Sequence, residues 1–166
     1  MPEMTHSGAA TITLPADSQM LITREFDAPP HLVYKAWTTP ELVKRYWAGR
    51  RGQMESAEID LRVGGRWRYV MTAGEGFEVA FNGEYREIVP NERLVYTEMY
   101  EGAEAEGAEP VVNVATFTEL EGGRTLLELL TECHTKEVRD AILESGMEGG
   151  AQEQFDVLDE LAQSLK

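Results

Sequence analysis

A single cysteine in 166 residues rules out a disulfide within the chain. No uninterrupted apolar run approaches the ~18 residues that a membrane span needs. The opening stretch, residues 1–18, has neither a basic region nor an apolar one, so it does not read as a secretory signal. With the free thiol, this predicts a cytoplasmic protein. Bases are scarce, 15 against 30 acids, for a formal charge of −15. Such a balance disfavours nucleic acid and anionic membrane as partners. His6, His31 and His134 have no metal-ligand spacing, and no glycine-rich phosphate loop occurs. No metal and no cofactor is therefore expected.

What is present is a composition of ordinary globular kind, 42% apolar and 27% charged. At this length one domain can bury roughly two-thirds of its unfolded surface. The last 66 residues hold 4 bases and 16 acids, or −12 of the −15. Part of that excess is the Gly/Ala/Glu stretch from Glu101 to Glu109, which has no apolar face and reads as a solvated loop. Between Lys44 and Arg68 the bias is reversed.

Residues 1–18 read as a flexible lead-in with a short extended piece at Thr11–Leu14, and 19–166 as one domain. Met20, Ile22 and Phe26 share a parity, as a strand with one buried face requires. Pro30 and Pro40 each open a short helix, the second behind a Thr39 cap. From Met54 onward the punctuation is that of hairpins: Gly64-Gly65, Ala73–Gly76, Pro90-Asn91 and Gly122-Gly123. Short links between successive strands force antiparallel neighbours. Trp67, Tyr69 and Met71 oppose Arg66 and Arg68; Leu127, Leu129, Thr131 and Cys133 oppose Glu128 and Glu132. One face of the sheet is thus apolar and the other charged. Gly83, in mid-strand, predicts a bend or a close approach by another element. Met147, Ala151, Phe155, Leu158, Leu161, Ala162 and Leu165 recur at three and four residues, the stripe of a helix covering that apolar face. Gly149 and Gly150 lower helix propensity near its start and would permit close contact with a strand. The predicted class is α+β: a curved antiparallel sheet of about seven strands gripping a long C-terminal helix, with two short helices after the first strand.

Asp60-Leu-Arg-Val-Gly-Gly-Arg-Trp-Arg-Tyr-Val-Met71, Arg24-Glu-Phe-Asp-Ala-Pro29, Ala36-Trp-Thr-Thr-Pro-Glu-Leu42 with Trp47, Gly83–Pro90 and Gly146–Ala151 resemble one known group. It is the family of homologues of the activator of heat-shock protein 90 ATPase, within the START-like (SRPBCC) helix-grip superfamily, and the resemblance covers about residues 19–165. Two departures stand out. Trp47-Ala-Gly-Arg50 lacks a proline that many members carry, and Ala151-Gln152 replaces a tryptophan that many members carry after the glycines of the last helix. Nothing before Met20 resembles the extra N-terminal domain of the eukaryotic co-chaperone.

A helix gripped by a curved sheet leaves space for a cavity, and the resemblance, through relatives that bind lipids, hormones and polyketides, implies one here. Its expected lining is Trp47, Trp67, Tyr69, Met71, Phe81, Tyr85, Tyr96, Phe117 and Phe155. The same side chains would serve equally as a dry core. Arg62, Arg66 and Arg68 are the residues for an anionic ligand, but parity places the last two on the solvated face, and Arg62 reads as the partner of Asp60. Cys133 reads as a small buried hydrophobe. Glu25, Glu87 and Glu98 are the strand carboxylates that would act as acid or base if turned inward, and all three stay open. The first functional reading is a non-enzymatic binder of a small apolar or aromatic molecule. The second is a cyclase- or dehydratase-like enzyme, and the third a chaperone-associated interaction module. A protein partner or a second copy of the chain stays open.

Overall fold

Gly122 and Gly123 both adopt positive φ, 80° and 72°. Only glycine takes two such residues in succession without strain, and the pair makes the tight link that folds one strand back on its predecessor. Asn91 does the same work at φ 67° after Pro90. The computed structural model describes residues 10–48, 52–73, 76–102 and 107–166. The elements run β1 (Thr11–Thr13), β2 (Gln19–Phe26), α1 (Pro30–Thr38), α2 (Pro40–Tyr46), β3 (Gly52–Ile59), β4 (Arg66–Ala73), β5 (Phe77–Val89), β6 (Arg93–Tyr100), β7 (Val111–Leu120), β8 (Arg124–Glu132), α3 (Lys136–Glu144) and α4 (Met147–Ser164).

The strands form one antiparallel sheet in the order β1-β2-β8-β7-β6-β5-β4-β3. The count is eight, one more than the sequence predicts, because Thr11–Thr13 pairs with Leu21–Thr23 as an edge strand. From β3 to β8 each strand lies beside its sequence neighbour, while β2 inserts between β1 and β8. The chain therefore crosses from β2 to the far edge at β3 through α1 and α2. Both helices open on proline at the first position. Thr39 does not cap α2 with its side chain; its carbonyl instead accepts from the Leu42 and Val43 N–H groups.

This is the helix-grip arrangement, with a curved sheet around a long C-terminal helix. Phe155, Leu158, Leu161 and Ala162 of α4 join Ile22, Phe26, Val33, Trp37 and Leu127 in one core. Full burial of a side chain such as Leu158 stabilises by about 1.5–3 kcal/mol. Met147 and Ala151, at the start of the same helix and one turn into it, are only partly buried. The helix is thus sealed along its C-terminal half and less so at its start. Gly150 makes no close strand contact: a Cβ there would have nothing within 4 Å.

Two buried arginines tie the layers together. Arg24, on the concave face of β2, donates to the Phe155 carbonyl of α4 and pairs with Asp156 (3.1 Å) and Asp159 (3.7 Å). Asp159 also accepts the Asp27 N–H at 3.0 Å. Arg139 of α3 donates to the Ala16 carbonyl at 2.9 Å, docking that helix on the β1–β2 connection. Helix α3 has no counterpart among the predicted elements. The Thr135 hydroxyl caps it by accepting the Val138 N–H at 3.1 Å.

Candidate functional site

The concave face carries the aromatic residues that the sequence singles out, and they fall into two groups. In the first, Trp67 lies 4.7 Å from Tyr69 and 6.0 Å from Tyr96 between ring centres, and Tyr85 is 6.2 Å from Tyr96. Trp47, just past α2, lies edge-on to Tyr69 (5.2 Å) and Phe81 (5.1 Å). Met71 is half-buried against the hydrophobic core. The second group is sealed. Phe117 packs edge-on against Tyr34 and Trp37, and Phe155 against Phe26 with Trp37 stacked at 6.2 Å. Phe117 and Phe155 make their ring contacts with α1 and Phe26 rather than with the other seven, but belong to the same hydrophobic core as Trp67, Tyr69 and Tyr85.

The close approach predicted at Gly83 is present. Trp67 and Gly83 are register partners, and the Trp67 indole N–H donates to the Thr97 carbonyl at 3.1 Å. A Cβ on Gly83 would stand 1.7 Å from that carbonyl oxygen. The Thr97 hydroxyl in turn accepts the Glu84 N–H at 3.0 Å, in place of a backbone carbonyl. A bulge follows between Tyr85 and Glu87. Such a bulge bends its strand locally and increases its twist.

Polar atoms lie among these rings. Glu98 shares its parity with Leu94 and Tyr96 and points to the concave side. The Thr131 hydroxyl donates to Asn113 Oδ1 (2.6 Å), and Asn113 Nδ2 donates to Glu98 Oε1 (2.8 Å). This chain runs from β8 straight across to β7 and then diagonally to β6, since Asn113 faces Thr131 and Tyr96 in the register and Glu98 faces Val111. Burial raises the Glu98 pKa above the ordinary carboxyl range, with the Asn113 amide opposing the shift. Burial also pushes up the phenols of Tyr46, Tyr69, Tyr85 and Tyr96. The other two carboxylates considered from sequence face outward: Glu25 pairs with Arg124 and Glu87 with Arg93.

Accessibility is graded along this face. Leu94 and Leu127 are fully buried, and Trp67, Tyr69 and Tyr85 nearly so. Met71, Phe81, Tyr96 and Glu98 are partly accessible. Tyr100 and Phe77 are 45% and 65% exposed. Glu98 combines a desolvated carboxyl with some residual accessible surface.

The arginines of the convex face are engaged with neighbours. Arg68 grips Glu101 through two bonds of 2.7 and 2.9 Å, Arg66 donates to Asn82 and Arg62 to Asp60. The Arg68 pair and Asn82 hold the Glu101 carboxyl down at about 2. Arg66, Arg68, Asn82 and Glu101 line a surface depression of about 390 Å³; a second of about 390 Å³ lies around Pro30, Asn91 and Phe117. Trp67 borders the first and Phe117 the second, and no other residue of the expected lining borders either. Of the acidic stretch, 103–106 lie outside the described residues, as does Arg50 at the departure after Trp47. Cys133 is 1% exposed, and burial pushes its thiol pKa up. Among the described residues no group of three or more metal-ligating side chains occurs, and no helix is long and apolar enough to cross a membrane.

No curated protein matches this sequence. Solved structures match it widely. A protein from Rhodobacter sphaeroides is 26% identical, with 94% of this chain and 99% of that one covered at a TM-score of 0.84. Protein Ms6760 from Mycobacterium smegmatis is 24% identical over 92% and 96% of the two chains, with a TM-score of 0.81. A protein from Arthrobacter aurescens, 20% identical over 93% and 91%, superposes with a TM-score of 0.82. The last two establish the fold alone. The family described as "Activator of Hsp90 ATPase homolog 1-like protein" matches over residues 27–163, from the end of β2 almost to the end of α4. The motif residues, the grip of the sheet on α4 and this match agree, and the chain belongs to the activator of Hsp90 ATPase homolog 1-like family.

Proposed function

We propose that this protein binds a small apolar or aromatic molecule in the recess between the start of α4 and the β4–β6 part of the sheet. The observation that carries the reading is the gradient on the concave face. Side chains at the α1 end are sealed, whereas Met71, Phe81, Tyr96 and Glu98 keep accessible surface, and the face opens past Tyr100 and Phe77. A filled core would close over these positions as it closes over Leu94 and Leu127. Apolar walls with a few convergent polar groups are the usual make-up of a ligand site. Of the expected lining, Trp47, Trp67, Tyr69, Met71, Phe81, Tyr85 and Tyr96 form the wall, and Phe117 and Phe155 support it from behind. Binding rather than catalysis is the reading taken, because the Asn113 amide already engages the inward Glu98 carboxyl.

Thermal melting against a panel of apolar aromatic compounds tests this. A ligand that binds only the folded protein raises the melting temperature in proportion to the logarithm of its concentration. The proposal expects such a rise for at least one compound class, and its loss when Ala151→Trp fills the recess from the helix side. A panel without any shift would contradict it.

A further inference from the structure

Resting on the binding reading, we infer that the ligand carries a protonated amine, held by Glu98 Oε2, with its apolar part lying against Tyr96, Phe81 and Met71. Three observations lead there. First, Glu98 Oε1 receives the Asn113 amide at 2.8 Å, whereas Oε2 has no hydrogen-bond partner among the described residues. Nor is Oε2 among the fully buried, partnerless side-chain atoms, in keeping with the partial accessibility of Glu98. An acceptor oxygen that is accessible from inside a recess is a group prepared for a donor. Second, the charge on this face selects the sign of the ligand. The concave face has one cation among the described residues, Arg24, and it is committed to the Phe155 carbonyl, Asp156 and Asp159. A carboxylate or phosphate ligand would find no basic partner there and would meet Glu98. The net charge of −15 further favours the approach of cations. Third, the neighbours of Glu98 are aromatic. Tyr96 stands two residues away on the same strand face, within a ring group reaching Phe81 through Trp67, Tyr69 and Trp47. Aromatic faces attract ammonium groups and pack against the hydrocarbon that follows them.

The Asn113–Thr131 relay fixes the carboxyl. The Thr131 hydroxyl orients the Asn113 amide, which occupies Oε1 and leaves Oε2 for the ligand. Glutamine at position 98 can still accept from Asn113, but it offers no charge to an amine.

The test is calorimetric titration of the full chain at neutral pH with three matched probes: phenethylamine, phenethyl alcohol and phenylacetate. The inference expects phenethylamine to bind about tenfold more tightly than the alcohol, as one charge-assisted hydrogen bond provides, with phenylacetate weakest. In Glu98→Gln the amine should fall to within about twofold of the alcohol, with alcohol binding retained. If the alcohol binds and the amine binds no better, or if Glu98→Gln leaves the preference intact, the amine assignment is wrong and the recess survives. If none of the three binds, both fail. The comparison of probes on the natural chain stands even where the variant does not fold.

Discussion

The Trp67 indole N–H reaches over Gly83 to the carbonyl of Thr97, a 3.1 Å bond joining β4 to β6 across the strand between them. It occupies a carbonyl that would otherwise serve the β5–β6 ladder, and it fixes the Trp67 ring. The arrangement depends on the absence of a side chain at position 83. Gly83→Ala should therefore destabilise the fold by about 1–3 kcal/mol, the usual cost of forcing atoms into a packed site. Chemical denaturation measures this, and a variant as stable as the natural protein would show that the bond is dispensable.

Arg24 sets the position of α4. Its guanidinium is almost wholly buried and meets Asp156, Asp159 and the Phe155 carbonyl. Removing one side of a buried ion pair typically costs about 3–5 kcal/mol. Arg24→Ala should show a loss of that order in denaturant titration. Asp156→Asn should lose much less, because Asp156 is 43% exposed and Asp159 remains. Equal losses from the two variants would overturn this ranking.

Glu98 predicts a pH dependence of stability. Folding raises its pKa above the ordinary carboxyl value of 4.5 through desolvation. The folded state then holds the proton more tightly than the unfolded state, so stability contributed by this group falls as pH rises from about 4.5 through the folded value. Glu98→Gln lacks the penalty. Its stability relative to the natural chain should improve steadily across that window and level off above it. A difference that stays flat with pH would mean that the carboxyl is not desolvated.

Gly150 lies within α4 beside open space. Alanine there gains helix propensity and restricts the unfolded chain without a clash. Gly150→Ala should stabilise by about 0.5–1 kcal/mol. A fall in melting temperature would indicate a close contact at this position.

Much of this architecture can be read from local chemistry. Alternating polarity in Trp67–Met71 and Leu127–Cys133 gives the faces, and the glycine pairs and Pro90-Asn91 give the reversals, because each depends on neighbours only a few residues apart. Helix α3 escapes such reading. Its nine residues are mostly charged, and its cap Thr135 and anchor Arg139 have meaning only once Ala16 is known to lie nearby. Arg24 escapes for a related reason. Parity places it inward with Ile22 and Phe26, but a charge there makes sense only against Asp156 and Asp159, which are more than a hundred residues away. The choice of Glu98 over Glu25 and Glu87 likewise needs register. Its partner Asn113 is 15 residues on and Thr131 a further 18, and only the β6-β7-β8 alignment brings them together. The ring contacts of Phe117 and Phe155 likewise depend on α1, whose Tyr34 and Trp37 pack on them.

The recess itself is tested most directly by NMR of the methionine methyl groups during titration with phenethyl alcohol. Met71 lies on the β4 wall and Met147 at the start of α4, both partly accessible, while Met20 is 2% exposed on the concave face of β2, at the other side of the sheet. The account predicts saturable shifts of the Met71 and Met147 resonances with Met20 unmoved. Unchanged Met71 and Met147 signals at saturating ligand, or shifts confined to Met20, would contradict it.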